Sequence, residues 1–268
     1  MMKIIVCIKE VIDPNLAATS LEFDSVSNKV VPLPGVWLVI NPLDERALEA
    51  ALRIKDAHDG EITVITLGVN LDRHVLRKPM AIGPDELILL EDEAFAEGDS
   101  WSTAYALAMA IKKIGNYDLI FCGRQAADWD AGQVGLGVAE ILGLPSITVA
   151  KKIDITDGKA RVERVTDDGH EVVEVTLPAL ITVGEEIGEL RSPTMAGMIA
   201  AKKKGAIIWK PADIGVEPSQ IGTTGRRLKL VKLFQPVHEG KCEIIESETP
   251  EEAAISLFQR LKEAKILK

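Results

Sequence analysis

The stretch YDLIFCGRQAADWDAGQVG, residues 117–135, decides the fold class because it joins three kinds of local sequence in order. Its apolar beginning predicts a short buried strand. A loop with glycines, one arginine and two aspartates follows. Residues 131–142 then predict a helix, and strand, loop and helix in this order are typical of a unit of a parallel sheet. The expected buried stripe of that helix is Val134, Val138, Ile141 and Leu142.

Other strands and helices alternate around this unit. Strands are expected at residues 3–9, 61–68 and 86–90. The intervening helices are expected at residues 41–58, 72–82 and 100–114. This order predicts an α/β fold, a parallel sheet with flanking helices. Residues 10–36 have no clear period and predict a long excursion with a small hairpin.

The first of these helices has a clear beginning. Asn41 is a good N-cap residue, Pro42 suits the first helical position, and Asp44 lies in the first turn near the positive end of the helix dipole. In open α/β sheets, ligands bind outside the carboxyl ends of the strands. Residues 122–135 lie at such an end, and we therefore expect the functional site there.

The pattern changes after Pro145. Short alternating runs are separated by Asp157-Gly158 and Asp168-Gly169, which are hairpin signals, and residues 179–183 predict another core strand. Residues 194–204 are expected to be helical and residues 205–248 irregular, and Thr249 opens a terminal helix. We predict a nucleotide-binding α/β domain over residues 1–205. Residues 206–268 are predicted to form a C-terminal arm that a partner completes.

Composition limits the possible functions. The formal net charge of −10 argues against nucleic-acid binding, which needs clustered Lys and Arg. No apolar run reaches the ~18 residues of a membrane span, so no membrane insertion is expected. Cys7, Cys122 and Cys242 are too widely spaced for a disulfide framework or a zinc pattern. Without a signal-peptide pattern at the N-terminus, we expect a soluble, cytoplasmic protein.

Motifs of self-sufficient enzymes are missing from the sequence. It has no GxxxxGK[ST] phosphate loop, no HExxH and no GxSxG. The stretch GQVGLG, residues 132–137, differs from GxGxxG and is expected to pack a helix closely against the sheet. We therefore predict no catalytic residues and no metal site in this chain.

The loop itself has chemistry that suits an anion. A loop between a parallel strand and a helix exposes unpaired backbone amides, which favour phosphate together with the helix dipole. Arg124 and Gln125 can add donors, while Asp128 and Asp130 can accept from ribose hydroxyls. The alternative is that both aspartates only cap the following helix and Gly132 only packs. Residue chemistry alone leaves both interpretations open.

Three stretches together resemble the β subunit of electron transfer flavoproteins. Residues 162–182 resemble the family signature, residues 123–135 its nucleotide loop, and residues 41–56 its first long helix. VCIKEVID, near the start, also fits. The resemblance extends over nearly the whole chain. In the signature the matching positions are Arg164, Asp167, Asp168, Gly169, Glu171, Val173, Pro178, Leu180, Ile181 and Thr182.

The resemblance implies an adenine-nucleotide α-hydrolase-like fold and a heterodimer with a larger α subunit. The α subunit would hold most of an FAD that carries electrons from an acyl-CoA or related dehydrogenase. This chain would bind AMP or, as in electron-bifurcating members, a second FAD. The alternatives from other classes are a stand-alone adenine-nucleotide-binding regulatory protein and an ATP-using transferase of the same fold.

The resemblance also implies which positions contact the nucleotide. At Cys7 and Leu67 we expect backbone contacts, and Asn41 is either a ligand contact or only an N-cap. Trp129 and Ala131 depart from the DGDT sequence of many bifurcating relatives, since this chain has DWDA, so AMP and FAD both remain possible. The implied nucleotide contacts are Cys7, Asn41, Pro42, Leu43, Asp44, Leu67, Gly123, Arg124, Gln125, Ala126, Ala127, Asp128, Trp129, Asp130, Ala131, Gly132, Gln133 and Val134.

A second segment, residues 184–205, aligns with the region that docks partner dehydrogenases in the family. Met195 occupies the place of the exposed apolar anchor, and methionine suits an adaptable contact. Arg191 and Met198 are the other predicted partner-recognition residues. The alternative is that Met195 and Met198 belong to the core of a helix.

Overall fold

A computed structural model describes residues 1–16, 21–24, 28–234 and 242–267. Within them, nine strands form one sheet in the order β11-β10-β9-β12-β8-β1-β6-β7-β13. In chain order the strands are β1 (Met2–Cys7), β2 (Glu10–Ile12), β3 (Leu21–Asp24), β4 (Lys29–Pro32), β5 (Leu38–Ile40), β6 (Gly60–Gly68), β7 (Glu86–Glu91), β8 (Leu119–Gly123), β9 (Ser146–Thr156), β10 (Lys159–Thr166), β11 (Gly169–Thr176), β12 (Ala179–Val183) and β13 (Ile207–Trp209). The parallel pairings from β9 through β12 to β13 confirm the predicted parallel sheet.

Helices cover both faces of this sheet. In chain order they are α1 (Pro42–His58), α2 (Arg73–Met80), α3 (Ser100–Ile114), α4 (Val134–Leu142), α5 (Met195–Lys203), α6 (Pro211–Ile214), α7 (Gly222–Gly225) and α8 (Pro250–Glu263). Successive strand residues point to opposite faces and so divide the core in two. Ile4 and Val6 pack with α1 and α2, whereas Ile5 and Cys7 pack with α3 and α4.

The chain reverses direction along the sheet at β1. From β1 it passes through α1 to β6 on one side, and after β7 it returns through α3 to β8 on the other side. β1 therefore pairs with β6 and with β8, both parallel. The place between β1 and β8 is a topological switch point, where the loops that follow neighbouring strands separate and leave a crevice.

Two hairpins extend the sheet at the other side. β9, β10 and β11 are antiparallel and turn at Asp157-Gly158 and Asp168-Gly169, as predicted. The hairpin predicted within residues 10–36 is also found, as the antiparallel pair of β3 and β4. Part of that excursion, residues 17–20 and 25–27, lies outside the described residues.

The prediction of irregular structure over residues 205–248 is wrong for its first part. β13 pairs in parallel with β7 at the edge of the sheet, and α6 and α7 follow it. The sheet thus includes residues beyond position 205, where the predicted arm begins. Residues 235–241 of that segment lie outside the described residues.

The terminal helix α8 forms as predicted, with the Thr249 hydroxyl accepting a hydrogen bond from the Glu252 amide. None of the described side chains of α8 is buried. On its apolar face, Leu257 is 48% exposed, and Ala253 and Leu261 are only partly buried. Among the helices of the described residues, none combines the length and apolar character needed to cross a membrane.

Candidate functional site

The loop at the switch point is longer than predicted. α4 begins at Val134, three residues after the predicted start at Ala131, because Gly132 has a positive φ of 63°. Residues 131–133 are exposed and belong to the loop. A Cβ on Gly132 would meet only the Arg124 carbonyl, at 3.5 Å, so this glycine serves a backbone turn and not close packing.

Two buried side chains at the start of α1, those of its N-cap Asn41 and of Asp44, hold this loop and the strand end before it. Asn41 is fully buried, and its amide nitrogen donates to the Gln125 carbonyl at 2.9 Å. Its carboxamide oxygen accepts from the Ala127 amide at 3.1 Å. The prediction of Asn41 as a capping side chain is therefore wrong, since it occupies the N-cap position of α1 but makes no capping hydrogen bond there. Its polar atoms instead bind the loop from both sides of Ala126.

Asp44 joins the ends of the two central strands. One carboxylate oxygen accepts from the Lys9 amide at 2.9 Å, and the other accepts from the Gly123 amide at 3.0 Å. Burial raises the pKa of Asp44 to about 7, against the opposing effect of these hydrogen bonds. A Cβ on Gly123 would lie 2.6 Å from the Asp44 Oδ1, so only glycine permits this approach of β8 to α1.

The exposed part of the loop is held by side chains on its surface. The Lys9 ammonium pairs with the Asp128 carboxylate, with a shortest Nζ–Oδ distance of 2.6 Å. The Gln125 amide nitrogen donates to Asp130 at 2.8 Å. Neither aspartate caps α4, whose N-cap residue is Gln133 and makes no side-chain capping bond. The capping interpretation of these aspartates is therefore wrong.

The loop leaves several donors free for an anion. The first turn of α4 contains no acidic residue and no capping side chain, so its amides and dipole are available to a negative group. Arg124 is exposed, and within the described ranges its guanidinium forms no ion pair. These groups suit a phosphate and so fit an adenine nucleotide. Across the part of the chain that the structure describes, no group of side chains could hold a metal ion.

Comparison with known proteins agrees with this arrangement. A sequence profile described as the electron transfer flavoprotein domain matches residues 36–214. The caffeyl-CoA reductase–Etf complex subunit CarD of Acetobacterium woodii is 39% identical over 267 residues, which cover 99% of this chain and 100% of the relative. The chain belongs to the electron transfer flavoprotein family.

Two further relatives specify the subunit. The electron transfer flavoprotein subunit beta of Thermoanaerobacterium thermosaccharolyticum is 38% identical over 267 residues, with 99% of this chain and 100% of the relative covered. Protein FixA of Azorhizobium caulinodans is 39% identical over 243 residues, 88% of this chain and 85% of the relative. The resemblance of this chain to the β subunit of electron transfer flavoproteins is thus confirmed, and the family is one of flavoproteins that serve electron transport.

The remaining predicted nucleotide contacts lie around the same crevice. Cys7 ends β1 and Leu67 lies near the end of β6, the strand on its other side. The Cys7 and Cys122 side chains are buried, and a hydrogen bond between them, with burial, holds the pKa of the Cys122 thiol well above its usual range. Such a thiol is a poor nucleophile. Because the Cys7 side chain is buried in the core, any ligand contact at Cys7 would come from its backbone.

Two of the three glycines of GQVGLG, Gly135 and Gly137, pack closely as predicted, whereas Gly132 serves the turn before α4. A Cβ on Gly135 would lie 3.1 Å from the Thr182 Cγ2 in β12, and one on Gly137 would lie 2.8 Å from the Ala104 Cβ in α3. They bring α4 close to the sheet and to its neighbouring helix, which fixes the end of the loop. Trp129 lies on the loop's surface and is 61% exposed.

The predicted partner-recognition residues lie elsewhere, at the beginning of α5. Met195 is 71% exposed and Met198 39% exposed, so the alternative that they form a helix core is wrong. Arg191 instead binds inward to the Glu49 carboxylate of α1. Neither Glu49 nor Lys9 was among the predicted site residues. The sequence signals for Lys9 are its place at the end of the predicted first strand, residues 3–9, and within VCIKEVID.

Proposed function

We propose that this chain is the β subunit of a heterodimeric electron transfer flavoprotein and holds an adenine nucleotide in the crevice outside the carboxyl ends of β1 and β8. The observation that carries this proposal is the loop of residues 124–133. Buried Asn41 and Asp44 fix its backbone at the switch point, while the amides of the α4 first turn remain without caps. A loop built in advance in this way loses little entropy when it binds a ligand.

The nucleotide would be held mainly by backbone groups. The amides of the loop and of the α4 first turn would bind its phosphate, with Arg124 and Gln125 as additional donors. Asp128 and Asp130 would accept from the ribose hydroxyls, and the backbone at Cys7 and Leu67 would border the base. The side chains of Asn41 and Asp44 are buried and hydrogen-bonded within the protein, so they would shape the site and not contact the ligand, whereas the exposed Asp128 and Asp130 can exchange their partners for it.

The nucleotide is either AMP or a second FAD. Trp129 does not discriminate between the two nucleotides, because its exposed ring can either cover a flavin or pack against the partner subunit. A bound flavin supplies the electron-transfer chemistry, and this chain contributes binding and orientation.

The partner would be an electron transfer flavoprotein α subunit that holds most of the FAD. This assignment is supported by the uncovered apolar side chains of the C-terminal arm. Ile255 is 59% exposed and Phe258 55% exposed in a helix without buried residues. A helix of this kind obtains its stability from packing against another chain. The exposed face argues against the alternative of a stand-alone regulatory protein.

The electron donor would be an acyl-CoA or related dehydrogenase that docks on the segment of residues 184–205, with Met195 as its anchor. The exposed methionine supports this role because its flexible, polarizable side chain adapts to a partner pocket. We expect Met195→Ala to slow electron transfer from the dehydrogenase without loss of bound nucleotide. Unchanged transfer kinetics would contradict the docking role.

The nucleotide assignment is tested by co-expression with the α subunit, denaturation of the purified complex and chromatography of the released nucleotides. One FAD and one AMP per heterodimer would establish a single-flavin carrier. Two FAD would establish a second flavin in this subunit. A complex with no nucleotide beyond the FAD of the α subunit would refute the proposed role of residues 124–133. A chain that is monodisperse alone and retains nucleotide would favour the regulatory alternative.

A further inference from the structure

Glu49 is a buried carboxylate with an unusual number of partners. It lies on α1 and is 4% exposed. Its Oε2 accepts from the Arg191 backbone amide at 3.1 Å and from the Arg191 Nε at 3.0 Å. Its Oε1 accepts from the Arg191 Nη2 at 3.1 Å and from the Arg53 Nε at 2.9 Å. Arg191 thus binds both carboxylate oxygens of Glu49 through one edge of its guanidinium, formed by Nε and Nη2, a bidentate geometry that is among the strongest for such a pair.

Glu49 is ionised in this environment. Burial raises its pKa, but the hydrogen bonds from Arg191 and Arg53 outweigh that effect, so the net pKa of Glu49 lies below its ordinary value. A buried pair of this kind contributes specificity of position more than stability, because desolvation offsets much of the attraction. What it positions is the chain segment to which Arg191 belongs.

That segment, residues 185–191, runs along α1 and is tied to it at further points. The Arg46 guanidinium donates to the Glu185 carbonyl at 3.1 Å, and that of Arg53 donates to the Ile187 carbonyl at 2.7 Å. Gly188 has a φ of 104°, and a Cβ there would lie 2.9 Å from the Arg53 Nη2. The Glu49–Arg191 contact is the last of these ties before the proposed docking residues.

The other end of the docking segment is held separately. Gly197 lies so close to the end of α2 that a Cβ would come within 2.1 Å of the Ala81 carbonyl oxygen. The Lys204 ammonium donates to the Pro84 carbonyl at 2.5 Å. Met195 lies between these two anchors and is itself 71% exposed. Its placement on the surface therefore depends on Arg191 on one side and on α5 packing on the other.

We propose that Glu49 is a positioning residue for partner docking, which fixes Arg191 and through it the exposed anchor Met195. This inference rests on the proposed docking role of residues 184–205 and assigns a buried residue of α1 to it. Glu49 does not contact the partner. It fixes the position of the segment that makes the contact, residues 191–195. Loss of Glu49 therefore weakens binding of the dehydrogenase and leaves the flavin chemistry unchanged.

The test uses the whole heterodimer as electron acceptor of an acyl-CoA dehydrogenase that reduces the wild-type complex. Glu49→Gln keeps the side-chain size but removes the charge and one acceptor. We expect it to raise the KM for the heterodimer about tenfold and to leave kcat within about twofold. Arg191→Lys, which keeps the charge but loses the fork, serves as a second variant if Glu49→Gln does not retain nucleotide. Asp56→Asn is the matched control, because Asp56 binds Arg191 only at its exposed edge.

A double-mutant cycle with Met195→Ala separates positioning from general destabilisation. If Glu49 acts through Met195, then Glu49→Gln has no further effect on KM once Met195 is alanine. Additive effects of the two substitutions would overturn the proposal. An effect of Met195→Ala with none from Glu49→Gln and Arg191→Lys would also overturn it, but would leave the docking role intact. No effect of Met195→Ala would refute the docking role itself.

Hydrogen exchange provides a readout that needs no partner. In the heterodimer, Glu49→Gln is expected to accelerate exchange of the amides in residues 189–199 about tenfold, while residues 123–130 keep the wild-type rate. Unchanged exchange in residues 189–199 would overturn the proposal, because Arg191 would then be held without Glu49.

Discussion

The carboxylate of Asp44 accepts a hydrogen bond from the backbone amide of Gly123, 79 positions later in the chain, at 3.0 Å in a buried setting. This contact joins the first turn of α1 to the end of β8. The other oxygen of the same carboxylate accepts from Lys9, after β1. A single side chain therefore connects the carboxyl ends of the two strands beside which the proposed nucleotide lies.

The raised pKa of Asp44 predicts a pH-dependent stability. Between pH ~4 and ~7 the unfolded chain releases a proton that folded Asp44 retains, so this residue lowers the free energy of unfolding as pH rises, by up to about 1.4 kcal/mol per unit. Above pH ~7 both states are ionised and the slope vanishes. Asp44→Asn lacks this titration. We therefore expect the stability advantage of the wild type over Asp44→Asn to shrink from pH 5 to pH 8 in urea denaturation. Parallel curves for the two proteins over this range would refute the assignment.

The two hydrogen bonds from the Asn41 side chain to the loop predict that loss of this side chain speeds nucleotide release. Asn41→Ala leaves the Gln125 carbonyl and the Ala127 amide without their partner, and each lost contact costs about 1–3 kcal/mol where it is buried. We expect the loop to loosen and bound nucleotide to dissociate about tenfold faster, as measured by displacement from the heterodimer with excess AMP. Asn15→Ala is the matched control, since Asn15 is exposed and bonds to nearby Asp13. Equal rates for both variants would show that Asn41 does not hold the loop.

Replacement of Gly137 by a larger residue is expected to disturb the packing of α4 against α3. Because its Cβ would lie 2.8 Å from that of Ala104, Gly137→Val must push α4 away from α3. Overpacking of this kind lowers the free energy of unfolding by about 1–3 kcal/mol. The neighbouring Leu136 is 40% exposed, so Leu136→Val is the control and should change stability by less than about 0.5 kcal/mol. If chemical denaturation shows equal losses for the two variants, the glycine is not required for helix packing.

Elements with a long, regular pattern could be predicted from the sequence. α3 matches its predicted bounds, Ser100–Ile114, because its apolar spacing persists over several turns. β13 could not be predicted, since it has only three residues at the sheet edge, and Ile207 and Ile208 remain exposed. The start of α4 was placed too early because the positive φ of Gly132 is not visible in helix propensity.

The place of residues 122–135 at the carboxyl end of a central strand was predictable, but the hydrogen-bond partners of the side chains around them were not. The carboxyl end of β8 follows from the order of strands and helices. The local sequence around Asn41 and Asp44 is typical of a helix start. It gives no sign of their actual hydrogen-bond partners, which lie 35 to 86 positions away in the chain. Local sequence specifies the possible local bond, whereas the tertiary contact decides which bond forms. The Glu49–Arg191 pair, 142 positions apart, is hidden for the same reason.

The exposed face of α8 predicts how the arm depends on its partner. Phe258 is 55% exposed and lies beside other apolar side chains of a helix that has no buried residue in the described chain. If the α subunit covers this face, Phe258→Ser removes an aromatic anchor and should weaken the heterodimer at least about tenfold. Gln259→Ser, at the next and polar position, is the matched control and should leave the dissociation constant unchanged. Sedimentation of both complexes over a dilution series measures the effect. Equal dissociation constants for the two variants would mean that α8 contacts the α subunit through another face or not at all.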